Sequence, residues 1–183
     1  MILKNQLEDV PDTSLPFGDD QIQNDSTEEV IETVEHDITE NVEIDDRTRA
    51  RGVALQALYE MDLSEHLINV VISERLKAVQ LDEELQEFVE SIVLGVAPYR
   101  TLIDEFIAKY APEWPIDQVA VIDRNIIRIA VWEFAISGRT PLRVAINESV
   151  ELAKVFGSES SQRFVNGVLG SLAEHQNEIK TAL

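Results

Sequence analysis

Cysteine is absent from this chain of 183 residues, which excludes disulfides, cysteine-ligated zinc, iron–sulfur clusters and a thiol nucleophile. Histidine occurs only three times, and no pair among His36, His66 and His175 has the spacing of metal ligands. There is no glycine-rich phosphate loop, no nucleophile-elbow motif, and no apolar run near the roughly 20 residues that cross a bilayer. We therefore expect a cytoplasmic protein that is not an enzyme, with no catalytic residues, metal, other cofactor or membrane segment.

Basic residues are scarce at the start of the chain, where Lys4 stands against fifteen acidic residues in positions 1–46. Phe17 is the only aromatic residue of this segment, and nothing in it resembles the apolar core of a secretory signal. We expect residues 1–46 to form an acidic, disordered tail. Residues 47–183 hold fourteen basic and twenty acidic residues, so the tail accounts for most of the formal net charge of −20. A mildly acidic body can still carry a local basic patch, because charges act within a Debye length of about 8–10 Å.

From residue 47 onward, apolar residues recur with the period of amphipathic helices, and no segment alternates with the period of a strand. Gly95 and Pro98 predict a kink or break, and Thr140 as N-cap before Pro141 is typical of a helix start. The strongest apolar stripe consists of Val119, Ile122, Ile126, Ile127, Ala130, Val131 and Phe134. We predict an all-α, compact bundle of about seven helices over residues 47–183, preceded by the acidic tail.

Three arginines, Arg47, Arg49 and Arg51, open the first predicted helix in the segment RTRARGVALQALY. On a helix, Arg51 lies about 40° from Arg47, and Arg49 lies on the opposite side. We expect this first turn to protrude and to display its guanidinium groups around a helix N-terminus, which itself attracts anions. Guanidinium groups bind phosphate oxygens bidentately, so the pattern favours RNA binding. The alternative is that the three arginines only keep a helix end in water.

Aromatic residues supply a second candidate surface. Phe164 follows Arg163 near the start of the last long predicted helix. A partly exposed phenylalanine can stack on an unpaired base, which contributes about 1–3 kcal/mol per base, but Phe164 also shares an apolar stripe with Val165 and so fits the core. Tyr59 has the same two interpretations, a half-buried core residue or a ring whose hydroxyl reaches a polar ligand.

Three segments resemble the NusB family of bacterial transcription antitermination factors: RTRARGVALQALY, DRNIIRIAVWEF at residues 123–134, and VAINESVELAKVFGSESSQRFVNGVL at residues 144–169. NusB proteins are all-α. Together with the ribosomal protein NusE they bind the boxA element of ribosomal RNA leader transcripts, and the complex helps RNA polymerase to resist termination. The resemblance therefore implies three partners: single-stranded, boxA-like RNA, NusE and, indirectly, the RNA polymerase antitermination complex.

The resemblance also bears on individual residues. It implies contact with the basic NusE partner for Asp123 and Glu133, for which a solvated helix face is the alternative. Thr48 stands where the family often has a further basic residue, which implies weaker phosphate contact. Ser160 replaces an acidic residue that is common in the family, which partly offsets that loss. The expected RNA contacts are Arg47, Arg49, Arg51, Tyr59, Arg163 and Phe164.

Two other functions stay open at this point. One is an all-α protein-interaction scaffold without RNA binding, which the acidic composition favours. The other is an RNA-binding fragment of a NusB-like ribosomal RNA methyltransferase, because such a domain precedes the catalytic domain in some of those enzymes.

Overall fold

A computed structural model describes residues 45–182, so the expected tail lies outside the described residues except for its last two positions. Within this range the chain forms α-helices and no strand. The helices are α1 (Asp46–Leu63), α2 (Ile68–Lys77), α3 (Glu83–Val96), α4 (Arg100–Tyr110), α5 (Val121–Val131), α6 (Leu142–Phe156), α7 (Ser161–Glu174) and α8 (Gln176–Ala182). The all-α class is confirmed, and α8 adds a short helix to the expected seven because His175 separates it from α7.

The start of α1 is fixed by Asp45, which is its N-cap. One carboxylate oxygen of Asp45 accepts the backbone N–H groups of Arg47 at 2.7 Å and Thr48 at 3.1 Å. These are N–H groups that the helix itself leaves without partners. The acidic residues Asp45 and Asp46 also offset the unfavourable placement of arginines near the positive end of the helix dipole. The sequence therefore builds a stable helix start in spite of its basic first turn.

Small residues bring α1 close to its neighbours. Its inner face is lined by fully buried alanines and apolar residues, and Gly52 lies directly against the ring of Phe156 on α6. A methyl group at position 52 would lie 2.9 Å from the Cζ atom of that ring, which is closer than van der Waals contact permits. The close approach places the first turn of α1 beside α6.

The break expected at Gly95 and Pro98 is present as a short 3-10 turn, Ala97–Tyr99, between α3 and α4. Gly95 lies against the indole of Trp132, so that any side chain at position 95 would collide with the ring. Glycine at this helical position, which is otherwise unfavourable, is therefore explained by the packing of α3 on the chain that follows α5.

At the centre of the bundle lies α5, and it continues into a wide π-helical turn, Trp132–Ile136. It contacts α1, α4, α6 and α7. Its apolar residues Ile126, Ile127, Ile129, Ala130 and Val131 are fully buried. Thr140 is not the N-cap of α6, which corrects the expectation. Pro141 occupies the N-cap position, and the Thr140 hydroxyl donates to Oε1 of Glu133 at 2.9 Å.

A buried ionic cluster joins the end of α1 to α4 and α5. Asp62 accepts hydrogen bonds from Nη1 of Arg128 at 2.6 Å, from Nδ2 of Asn125 at 3.1 Å and from Nη1 of Arg100 at 3.1 Å. Burial raises the pKa of Asp62, but Arg128 and the other donors outweigh this and lower the pKa on balance. None of the described helices is both long and apolar enough to span a bilayer.

Candidate nucleic-acid interface

Arg47 and Arg49 are exposed on the first turn of α1, as expected. The guanidinium of Arg47 lies over the ring of Phe88 at 5.3 Å, and its Nη2 is 3.3 Å from Oε1 of the exposed Glu84. Exposed ion pairs of this kind contribute little and exchange readily. Among the described residues, Arg49 forms no salt bridge. Both cations can therefore reach an anion in solvent.

Arg51 does not protrude, and this corrects the expectation that it binds phosphate. It is only 3% exposed. Its Nε and Nη2 donate to the two carboxylate oxygens of Glu133 at 3.0 and 2.9 Å, and its Nη1 donates to Oε2 of Glu148 at 2.8 Å. The face of α1 that carries Ala54 is already covered at Arg51, because α5 and α6 pack against α1. Arg51 holds helices together.

Glu133 is also buried, so the alternative of a solvated helix face is wrong for it too, and its contact with NusE stays a prediction. Its side chain is 1% exposed, and it accepts hydrogen bonds from Arg51 and from the Thr140 hydroxyl. A carboxylate buried this deeply needs such donors, because desolvation of an unpaired charge is costly. Glu133 is therefore the internal partner of Arg51.

Phe164 is half-buried at the start of α7, where it forms one wall of an open cleft of about 450 Å³. Its ring meets the ring of Trp114 edge to face, with centroids 5.1 Å apart and planes at 80°. Trp114 is 43% exposed. The hydroxyl-bearing residues Ser158 and Ser160 also line this cleft. Two aromatic rings with neighbouring hydroxyl groups suit a planar, polar-edged ligand such as a nucleobase.

Trp114 was missed by sequence reasoning, which treated residues 112–115 only as a helix stop. The signal was present, because a tryptophan between Pro112 and Pro115 has no helix face on which to be buried. A large aromatic residue held in a short connection is often placed at a surface for contact.

Asp123 also lines the cleft, so the alternative of a solvated helix face is wrong, and its contact with NusE stays a prediction. It is 7% exposed, and its Oδ1 atom has no hydrogen-bond partner within the described part of the chain. Burial raises the pKa of its carboxyl, and the nearby Ser161 hydroxyl only partly counters this effect. Its carboxylate is therefore a polar wall of the cleft, at a cost in desolvation.

The remaining expected RNA contacts lie on separate parts of the surface. Arg163 is exposed, and it borders an adjoining groove that shares Ser158 and Ser160 with the aromatic cleft. Tyr59 is 38% exposed and lies twelve residues beyond Arg47 on α1, about 18 Å along the helix axis. The structure thus joins Arg163 and Phe164 in one surface, and leaves Tyr59 well apart from the basic turn.

No cluster of metal-ligating side chains is found in the described part of the chain. The sequence model of the NusB family matches residues 48–174. A transcription antitermination protein NusB from Dehalococcoides mccartyi is 43% identical over 128 residues, covering 70% of this chain and 90% of that protein. A protein of the same name from Roseiflexus sp. is 41% identical over 134 residues, covering 72% of this chain and 94% of that protein.

Solved structures show the same relationship. T. maritima NusB superposes with a TM-score of 0.64 at 29% identity, over 75% of this chain and 97% of that one. A chain from a crystal structure of antitermination factors NusB and NusE in complex with double-stranded RNA gives a TM-score of 0.61 at 25% identity, over 75% of this chain and 98% of that one. With the family match over most of its length and relatives above 40% identity, the chain belongs to the NusB family.

Proposed function

We propose that this protein is a transcription antitermination factor that binds boxA-like, single-stranded RNA of ribosomal RNA leader transcripts, together with the ribosomal protein NusE. In this role it acts without catalysis, in the cytoplasm, and reaches RNA polymerase through the assembled complex. The antitermination names of its relatives support this function over that of a methyltransferase fragment. The division into an acidic tail, residues 1–46, and an RNA-binding body, residues 47–183, is part of the proposal and rests on the charge distribution.

The observation that carries the proposal is the aromatic cleft. Phe164 and Trp114 present ring surface beside hydroxyl groups, and Trp114 is 43% exposed. An unpaired base that stacks there gains about 1–3 kcal/mol, and base-paired RNA offers no free base face. The cleft therefore favours single-stranded RNA as the ligand.

The exposed cations supply the phosphate contacts in this proposal. Arg47 and Arg49 flank the first turn of α1, and Arg163 stands beside the cleft. Arg51 is assigned no phosphate, because its donors are directed to Glu133 and Glu148. Tyr59 stays a predicted contact at the far end of α1. For NusE the relevant support is the related NusB–NusE complex, since the carboxylates of Asp123 and Glu133 are buried in this chain.

Fluorescence anisotropy with a labelled boxA-like RNA, with and without NusE, tests the proposal. Single-stranded RNA gives a slope of about −0.7 in log affinity against log salt for each phosphate contacted, so three exposed arginines predict a slope of about −2. Arg47→Ala/Arg49→Ala should reduce the slope to about −0.7. Lys180→Ala, an exposed cation on α8, is the matched control and should leave both affinity and slope unchanged.

The aromatic cleft is tested separately from the charges. Trp114→Leu and Phe164→Leu should each weaken RNA binding by about 1–3 kcal/mol without changing the salt slope, because stacking releases no counterions. A wild-type protein that binds NusE but no RNA under any salt condition would reject the proposal. It would favour the second candidate function, a protein-interaction scaffold, which the acidic composition supports.

A further inference from the structure

Thr48 lies inside the basic turn but points into the protein. It is 7% exposed, whereas its neighbours Arg47 and Arg49 are exposed. The Thr48 hydroxyl lies 2.6 Å from Oε2 of Glu148 on α6 and 3.0 Å from Oδ2 of Asp45. A side chain from the first turn of α1 is thus held by a residue one hundred positions away in sequence.

The hydroxyl group has one proton and two carboxylates within reach. It can donate to only one of them at a time, and the shorter distance assigns the bond to Glu148. Asp45 retains its bonds from the backbone N–H groups of Arg47 and Thr48, so it does not depend on the hydroxyl. The pKa of Asp45, which burial raises, is lowered on balance by these donors and by the charge of Arg51.

The acceptor in this contact is itself held in place. Oε2 of Glu148 also accepts from Nη1 of Arg51 at 2.8 Å, and Arg51 is bound in turn to both oxygens of Glu133. Thr48 is therefore connected, through Glu148 and Arg51, to the buried centre of the bundle. The first turn of α1 is thus tied to α6 by one of its own side chains, in addition to its N-cap bonds.

From this geometry we propose that Thr48 is a positioning residue for RNA binding: its bond to Glu148 fixes the first turn of α1 so that Arg47 and Arg49 face phosphates in a defined arrangement. The inference rests on the proposed RNA-binding function. Side chains at successive helical positions project about 100° apart, so a contact at residue 48 sets the directions of both neighbours. Thr48 accordingly supports the phosphate site, although the absence of a positive charge there implied a weaker one.

The experiment uses the full chain and a fluorescein-labelled twelve-nucleotide oligouridylate, at several salt concentrations and at 20 °C. Thr48→Val keeps the shape of the side chain and removes only the hydroxyl. It should weaken binding about 3- to 10-fold at low salt and reduce the magnitude of the salt slope by up to one phosphate contact, about 0.7. Thr48→Ser, which retains the hydroxyl, should bind within about twofold of the wild type.

If Thr48 acts through Arg47 and Arg49, the effect of changing it should depend on the presence of both arginines. In an Arg47→Ala/Arg49→Ala background, Thr48→Val should have no additional effect on the slope, because there is nothing left to position. Circular dichroism melts confirm that each variant is folded at 20 °C. An unchanged slope for Thr48→Val overturns the inference, whatever happens to its melting temperature. That outcome leaves the proposed function intact as long as the arginine double variant loses affinity, whereas a wild-type protein that binds no RNA removes both.

Discussion

Replacing Arg51 by methionine should destabilise the protein strongly, because Arg51 is a buried ionic partner and no surface cation. The substitution keeps an unbranched apolar chain in place of the methylene stem of arginine but removes all the guanidinium donors. Glu133, which is 1% exposed, would keep only the Thr140 hydroxyl as a donor. Glu148 would lose Arg51 but keep the Thr48 hydroxyl, and at 20% side-chain exposure it can also reach water.

The magnitude follows from the burial of Glu133. Removing one partner of a buried ion pair costs about 3–5 kcal/mol, because the remaining charge has lost its compensation. For a domain of this size each kcal/mol lowers the melting temperature by about 3–5 °C, so a decrease of about 10–20 °C is expected. Replacing Glu133 by methionine as well should recover most of the loss, since buried pairs exchanged for apolar residues are often neutral in stability.

Urea denaturation followed by circular dichroism measures the free energies of unfolding of the wild type, both single variants and the double variant. Arg49→Met is the matched control: it lies on the same helix but is exposed, and it should change stability by less than about 0.5 kcal/mol. A loss below about 1 kcal/mol for Arg51→Met, or a double variant no more stable than the single one, would show that the ion pair does not hold α1 to α5.

Three further predictions concern stability alone. Burial raises the pKa of Asp123, so its carboxyl binds a proton more tightly in the folded state than in the unfolded state. Asp123→Asn should therefore stabilise the protein at pH 7. The gain in the free energy of unfolding, measured by urea titration, should shrink as pH falls towards about 4. The pKa of Asp62 is lowered on balance, so the stabilisation by its carboxylate is present above about pH 4 and is lost as pH falls through the folded-state pKa. The Asp62→Asn variant should be less stable than the wild type at pH 7, and it should lose less stability than the wild type on acidification. Gly95→Ala should cost about 1–3 kcal/mol by collision with the Trp132 indole in thermal melts, while Gly167→Ala, with open space around it, should be neutral or stabilising.

The helices were predictable from the sequence because the buried face of a helix is visible in the spacing of its own apolar residues. The stripe from Ile126 to Val131 requires only local spacing to be recognised, and α5 is buried as that stripe indicates. The break at Gly95 and Pro98 is equally local, since both residues act on the backbone at their own positions. The short α8 was harder to predict because seven residues carry little periodic signal.

The ion pairs of the candidate site could not be predicted by the same means. Arg51 is bound to carboxylates 82 and 97 residues away, and helical spacing contains no information about such distances. A partial signal existed, because Arg51 and Glu133 both fall on the apolar faces of their own helices. A charge on a face that must be buried requires a buried partner of the opposite sign. Two such residues of opposite charge in one chain are therefore candidates for a buried ion pair with each other.

The same contacts bear on how an acidic body can carry the proposed RNA site. The sign of the net charge matters less than which charges are already neutralised. Glu133 and Glu148 share the single positive charge of Arg51, so they are compensated only in part. Asp62 and Asp104 are bound to Arg128, and Arg100 and Arg124 also pair with Asp62. Because salt screens electrostatic interactions, an RNA phosphate interacts mainly with charges within about 8–10 Å.

Exposed residues then determine the local field. Arg47 and Arg49 are exposed on the first turn of α1, whereas the carboxylates of Glu133 and Glu148 are bound to Arg51. The carboxylate of Asp45 is turned back on the helix N–H groups. In the proposed RNA site, the bonds from Arg51 therefore reduce, without cancelling, the repulsion between the carboxylates of Glu133 and Glu148 and a phosphate at the basic turn.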